Sequence, residues 1–213
     1  MDSDIIVFSG IDGCGKSTQI ERLTVHFDLN NIKYKILWVR PGSTPMILFL
    51  KSLARICFKS LPQGGRSDKR EELLKHSNIG KIWFYLSFIE LLYIFKIKSP
   101  VLILFGYKLI FDRYILDSII DYEIMLNRHF FDIKFVKILL ESNRDIIKIY
   151  LEIPIKDSIY RCERKWEPFP DTEQEKISRF NLYKKYIDDL DYVKIDGLNT
   201  PESIQQLIFK LIG

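Results

Sequence analysis

Ile5–Gln19 reads IIVFSGIDGCGKSTQ. Its first four residues are wholly apolar, as expected of a strand buried on both faces of a parallel sheet. Glycines follow at positions 10, 13 and 15, and from Lys16 the spacing changes, with Ile20, Leu23 and Phe27 recurring at helical intervals. The join between the two, Gly10-Ile11-Asp12-Gly13-Cys14-Gly15-Lys16-Ser17, fits the pattern GxxxxGK[ST]. Strand, glycine turn and helix N-terminus in that order make a cradle for phosphate. Glycines let successive N–H groups turn inward around phosphate oxygens, and the helix end adds partial positive charge. In such a loop Lys16 reaches the β- and γ-phosphates of ATP, and the Ser17 hydroxyl is a ligand for Mg2+. Gly10, Asp12, Gly13, Cys14, Gly15, Lys16, Ser17 and Thr18 are therefore the candidate nucleotide-binding positions.

Working outward, strand-like and helix-like stretches alternate. Lys33–Val39 reads as a second strand, and Pro41, Gly42 and Pro45 open a loop before an apolar helix that runs to Phe58. Pro62, Gly64 and Gly65 mark Lys59–Asp68 as a flexible loop. A long helical region spans Lys69–Phe95, and Ser99-Pro100 predicts a fresh helix, with Ser as its cap and Pro in the first turn. Gly106 is its expected stop. Tyr107–Phe111 and Asp145–Glu152 read as third and fourth strands, and Tyr192–Ile195 as the last; helices are predicted over Leu116–Leu126, Ile133–Ser142, Ile155–Lys165, Thr172–Leu190 and Thr200–Ile212. The pattern predicts an α/β fold: a parallel five-stranded sheet with helices on both faces, in the three-layer P-loop NTPase arrangement. Residues 1–213 form one expected domain, with a lid segment over residues 155–172.

Two further clusters carry chemistry. Asp112-Arg113-Tyr114 closes the third strand, and ligands of open parallel sheets bind beyond the carboxyl ends of strands. Asp112 is then placed to hold the waters of a magnesium ion, and Arg113 to clamp a phosphate bidentately. Arg161, Arg164 and Lys165 are spaced for one helical face. Positive charge on a closing segment suits phosphoryl transfer, which needs neutralisation over the γ-phosphate and exclusion of water. The catalytic candidates are Lys16, Asp112, Arg113 and Arg164, and the metal candidates are Ser17 and Asp112.

Bulk composition narrows the partners. A net charge of +4, with acidic and basic residues interleaved, suits anionic small molecules and argues against nucleic acid. The three cysteines, Cys14, Cys57 and Cys162, show no metal-binding spacing, which predicts a reduced, cytoplasmic protein. Ile82–Phe95 is very apolar, yet it is shorter than a membrane span and contains Glu90. A buried helix or a subunit interface is expected there rather than a membrane segment.

FSGIDGCGKSTQ, FDRY followed by Ser118 and Tyr122, YLEIPIKDSIYRCERK, and Val193-Lys194-Ile195-Asp196-Gly197 together resemble the thymidylate kinase family of nucleoside monophosphate kinases over nearly the whole chain. The resemblance implies ATP-dependent, magnesium-assisted phosphorylation of a nucleoside monophosphate, dTMP first, by a homodimer. It implies that Asp12 faces the acceptor sugar and that Arg113 binds the acceptor phosphate. Arg161 is implied to lie against the adenine, and Arg40 to address the acceptor phosphate. Gly13 stands where some members carry a P-loop arginine, so Arg164 is the implied catalytic lid arginine, with Arg161 and Lys165 as its rivals. Three departures touch the acceptor side. Arg40-Pro41-Gly42 lacks the family's Glu, Tyr85–Glu90 replaces an arginine-bearing segment that reads thymine, and Glu123 stands where Gln is usual. A divergent member acting on another small acceptor is therefore a second reading. A non-catalytic nucleotide binder is a third, opposed by the presence of the lid arginines.

Overall fold

β1 (Ile5–Ser9) is the middle strand of a five-stranded, all-parallel sheet in the order β2-β3-β1-β4-β5. The computed structural model describes residues 3–39, 78–141, 146–164 and 171–213, with Phe49 and Ser52 as isolated helical positions. Arg40, the loop expected over Lys59–Asp68, the helix expected to end at Phe58, Lys165, Pro168 and Pro170 lie outside the described residues. The remaining strands are β2 (Tyr34–Trp38), β3 (Lys108–Asp112), β4 (Ile146–Glu152) and β5 (Val193–Asp196). The helices are α1 (Lys16–Leu29), α2 (Asn78–Tyr93), α3 (Ser99–Leu104), α4 (Ile115–Leu126), α5 (Lys134–Glu141), α6 (Ile155–Glu163), α7 (Glu173–Tyr186) and α8 (Pro201–Ile212).

The apolar runs explain the strand order. Ile6, Val7 and Phe8 of β1 and Leu109, Ile110 and Phe111 of β3 are fully buried, so both faces of the inner strands are covered. β2 at one edge is only partly covered, with Tyr34 and Leu37 half-buried and Lys35, Ile36 and Trp38 exposed. Phe8 stands beside Asp112, and Ser9 beside Tyr150, so β1 and β3 end within a residue of each other while β4 runs two residues further, to Glu152. Strand order reverses on either side of β1, and this switch point is where the crevice of an open parallel sheet forms.

Ser99-Pro100 does not start a fresh helix. The chain passes from α2 through a π-helical turn, Ile94–Lys98, directly into α3. Proline cannot donate to the carbonyl four residues back, and its ring clashes there. The wider turn accommodates it: the Ser99 backbone N–H and its Oγ (2.8 Å) both donate to the Ile94 carbonyl. The Ser99 hydroxyl thus bonds backward into α2, not forward as a cap. Gly106 does end α3, with φ +77° and its N–H on the Ile103 carbonyl at 2.8 Å.

Candidate active site

The glycine loop leaves β1 and turns into α1. Gly10, Gly13 and Gly15 all have positive φ, and Gly15 caps α1 in the left-handed conformation. Two of these glycines are also required sterically. A Cβ at Gly10 would lie 2.7 Å from the Leu151 carbonyl oxygen, and one at Gly13 would lie 3.1–3.3 Å from Ser158, Arg161 and Cys162 on α6. The loop is therefore wedged between the ends of β1 and β4 and the α6 helix. Ser158 Oγ donates to the Asp12 carbonyl at 2.7 Å and fixes the middle of the loop.

Lys16 is buried within this loop, its ammonium donating to the carbonyls of Gly10 (2.7 Å) and Ile11 (3.0 Å) and approaching Cys14 Sγ at 3.6 Å. Its charge is thus held at the centre of the cradle. Ser17 and Thr18 sit exposed on the first turn of α1.

Asp12 and Arg113 come together across the crevice. Arg113 Nη2 donates to Asp12 Oδ1 at 2.5 Å. Burial opposes the Asp12 charge, but Arg113 and then Lys16 and Arg179 overcome it, lowering its pKa to about 2. Arg113 is a non-glycine residue with φ +77°, a conformation that persists only where surroundings over-determine it. Its backbone N–H donates to the Phe8 carbonyl at 3.0 Å. Its Nη1 is buried with no hydrogen-bond partner among the described residues, and so is Asp112 Oδ1. Burial raises the Asp112 pKa, against the pull of Lys16 and Arg113. An unpaired guanidinium nitrogen and an unpaired carboxylate oxygen, on adjacent residues at the end of β3, are unusual in a folded interior and common at ligand sites.

The lid-segment arginines are placed differently from each other. Arg161 Nη1 donates to the carbonyls of Gly13 and Gly197, each at 3.2 Å, and so ties the loop to the turn after β5. Arg164 ends α6, exposed, with its guanidinium 4.6 Å from the centroid of the Tyr160 ring.

Ser87 and Glu90, in the segment expected to read the acceptor base, are both buried on α2, and the Tyr122 hydroxyl donates to Ser87 Oγ. Glu123 has a structural task. It accepts from the backbone N–H groups of Phe130 (2.6 Å) and Phe131 (3.0 Å) and from the Tyr186 hydroxyl (2.7 Å).

Sequence reasoning gave no role to three contributors, although Gly197 stands in one of the segments that carry the resemblance. Asp117 bonds Ser9, the Tyr114 backbone and Tyr183. Arg179 joins Asp121 to Asp171 (3.0 Å) beneath the crevice. Gly197 closes on the loop, where a Cβ would meet Cys14 O at 2.9 Å. Of the two charged residues, Asp117 left a trace, standing three residues after the helix-opening Tyr114, where a side chain bonds back to the cap.

A glycine cradle at the end of the central strand of a 2-3-1-4-5 parallel sheet defines the P-loop NTPase fold. The chain matches no family model and no curated protein sequence. Among solved structures it shares its fold with deoxyadenosine kinase from M. mycoides. The form with products dCMP and a flexible dCDP bound is 17% identical with a TM-score of 0.54, and covers 97% of each chain. The form with bound dATP is 18% identical with a TM-score of 0.58, again over 97% of each.

Proposed function

We propose that the protein transfers the γ-phosphoryl group of ATP to a small nucleoside-class acceptor, with a nucleoside monophosphate, dTMP first, as the leading candidate. One observation carries the reading: Arg113, strained in backbone and paired to Asp12 through one nitrogen, keeps its other terminal nitrogen buried and unpartnered beside the phosphate loop. A permanently charged, planar donor in that position is complementary to an acceptor phosphate. Lys16 within the loop would stabilise the transferring group, and the acceptor and donor phosphates would be aligned rather than covalently activated. An acceptor phosphate is already an anion, so no general base is required, and Asp12, with its pKa near 2, would make a poor one.

The donor set fits a magnesium ion: a buried carboxylate oxygen without a partner on Asp112, and an exposed hydroxyl on Ser17. Bound there, the ion would neutralise charge on the β- and γ-phosphates. Arg164, exposed on α6, would supply further charge, and Arg161 would meet the adenine side.

A second reading takes an unphosphorylated nucleoside as acceptor. It is favoured by the fold shared with deoxyadenosine kinase and by the raised pKa of Asp112, which would then receive the hydroxyl proton. A coupled ADP-release assay with dTMP, dCMP, dAMP, dGMP and the corresponding nucleosides separates the readings. ADP release driven by monophosphates supports the first, and release driven only by nucleosides replaces it with the second. Release independent of every acceptor removes both.

A further inference from the structure

Asp117 is fully buried and plays no part in the transfer as set out above. Its Oδ2 accepts from Ser9 Oγ at 2.5 Å and from the Tyr114 backbone N–H at 2.9 Å, and its Oδ1 accepts from the Tyr183 hydroxyl. No cation bonds it among the described residues. A carboxylate taken out of water without a cation survives only by accepting several hydrogen bonds. Asp117 draws its three donors from three elements: the last residue of β1, the residue that opens α4, and the last turn of α7. Burial and then the Asp117 charge keep the Tyr183 phenol protonated, so that leg remains a donor.

The identity of the anchored residues matters more than their number. Ser9 immediately precedes Gly10, the first residue of the phosphate loop. Tyr114 immediately follows Arg113, whose left-handed backbone holds the acceptor clamp. Holding α7 alone would need no carboxylate, since apolar packing does that at lower cost.

We propose that Asp117 is a positioning residue for phosphoryl transfer: by bonding Ser9, Tyr114 and Tyr183 at once, it sets the phosphate loop in register with the Arg113 clamp. The inference rests on the transferase reading. A displacement near 1 Å between donor and acceptor sites costs on the order of 100-fold in rate.

The test compares Asp117→Ala, Asp117→Asn and Ser9→Ala with wild type for Tm, ATP affinity, kcat and acceptor KM. Asparagine keeps an oxygen for Ser9 and Tyr114, and its amide can donate to a reoriented Tyr183 hydroxyl. Asp117→Ala is expected to bind ATP but to lose on the order of 100-fold in kcat, and Asp117→Asn to recover to within about tenfold of wild type. Should Asp117→Ala fail to fold, Ser9→Ala removes the loop leg, together with a 3.4 Å contact to the Tyr192 hydroxyl, and is expected to lower kcat about tenfold with little change in Tm. Folded variants with lowered Tm and wild-type kcat would overturn the proposal. If wild type phosphorylates no acceptor, the transferase reading fails separately. The register claim is then read from amide exchange at Cys14 and Arg113, whose N–H groups donate to Ile11 and Phe8. Faster exchange at both in Ser9→Ala supports it, and unchanged exchange overturns it.

Discussion

Replacing Lys16 with alanine removes the one ammonium that the phosphate loop encloses. The expected result is a folded protein with turnover reduced 100-fold or more, since loss of a comparable electrostatic contact costs about that much. Retention of more than about a tenth of wild-type kcat would contradict the role assigned to the loop. Arg113→Ala is expected to raise acceptor KM and lower kcat together, because its contact forms in the ground state as well. Arg164→Ala is expected to lower kcat more than it raises the KM for ATP; unchanged kcat would move the role to Arg161 or Lys165. The Asp12–Arg113 pair also predicts a pH dependence. The folded pKa of Asp12 is about 2 against an ordinary 3.8, so its ionised form is favoured by folding. The stabilisation, on the order of 2 kcal/mol, is complete above pH about 4 and is lost as pH falls toward 2. Measured as Tm against pH, the gap between wild type and Asp12→Asn should stay constant above pH 4 and close below it; a constant gap down to pH 2 would show that the pair contributes nothing. Lys16, Asp112 and Arg113 were legible in the sequence because each lies in a short motif with a fixed place on a strand or turn. The roles of Asp117 and Arg179 were not, since Ser9 and Asp121, the partners that tie them to distant elements, lie 108 and 58 residues away; the local spacing of Asp117 to Tyr114 announces only a helix cap.

At the scale of elements, the apolar runs and glycine turns were enough to give five parallel strands and their crossover helices. What they could not give is how the chain handles Pro100. From sequence, Ser before Pro reads as a cap; in the fold, α2 continues beneath it, because a π-helical turn and the Ser99 hydroxyl satisfy the backbone without a break. Ser99→Ala is therefore expected to cost about 1 kcal/mol, the worth of one buried hydrogen bond, and not to change where α3 begins. Glu123 shows the same limit. Its replacement of a usual Gln suggests altered acceptor reading, yet both of its oxygens serve the 127–133 turn and Tyr186. Glu123→Gln should lower Tm while leaving the order of acceptor preference intact. A changed preference in the acceptor panel would return Glu123 to the site. If Ser87 or Glu90 of α2 faces the acceptor, thymine recognition is expected to be weak, because a carboxylate offers acceptors where thymine carbonyls need donors. A kcat/KM for dTMP of about 10⁴ M⁻¹s⁻¹ or more, with preference over dCMP, dAMP and dGMP, would refute that.

At the scale of the whole molecule, one face of α2 and its continuation is unusual. Phe84, Phe88, Leu91, Ile94 and Phe95 point into the core, while Ile82, Tyr85, Ile89, Tyr93, Ile97, Val101, Leu104 and Phe105 form an exposed apolar stripe along the same helices. The helix is apolar all round because it has two faces to cover, and the core covers one of them. No helix among the described residues is long and apolar enough to cross a membrane. Eight side chains, each about half exposed or more, offer on the order of 800 Å², the area one partner contributes to a stable interface. The stripe spans two joined helices, with Lys96 and Lys98 exposed beside Ile97, and its apolar side chains suit pairing with the same stripe on a second copy. A homodimer is therefore expected in sedimentation at micromolar concentration. The double substitution Tyr85→Arg and Ile89→Arg sets like charges against each other across a two-fold axis, and should leave a folded monomer that still binds ATP, since neither residue lies near the phosphate loop. A wild-type monomer at that concentration would end the dimer reading, and co-sedimentation with lipid vesicles, lost in the same double variant, would assign the stripe to a membrane surface instead.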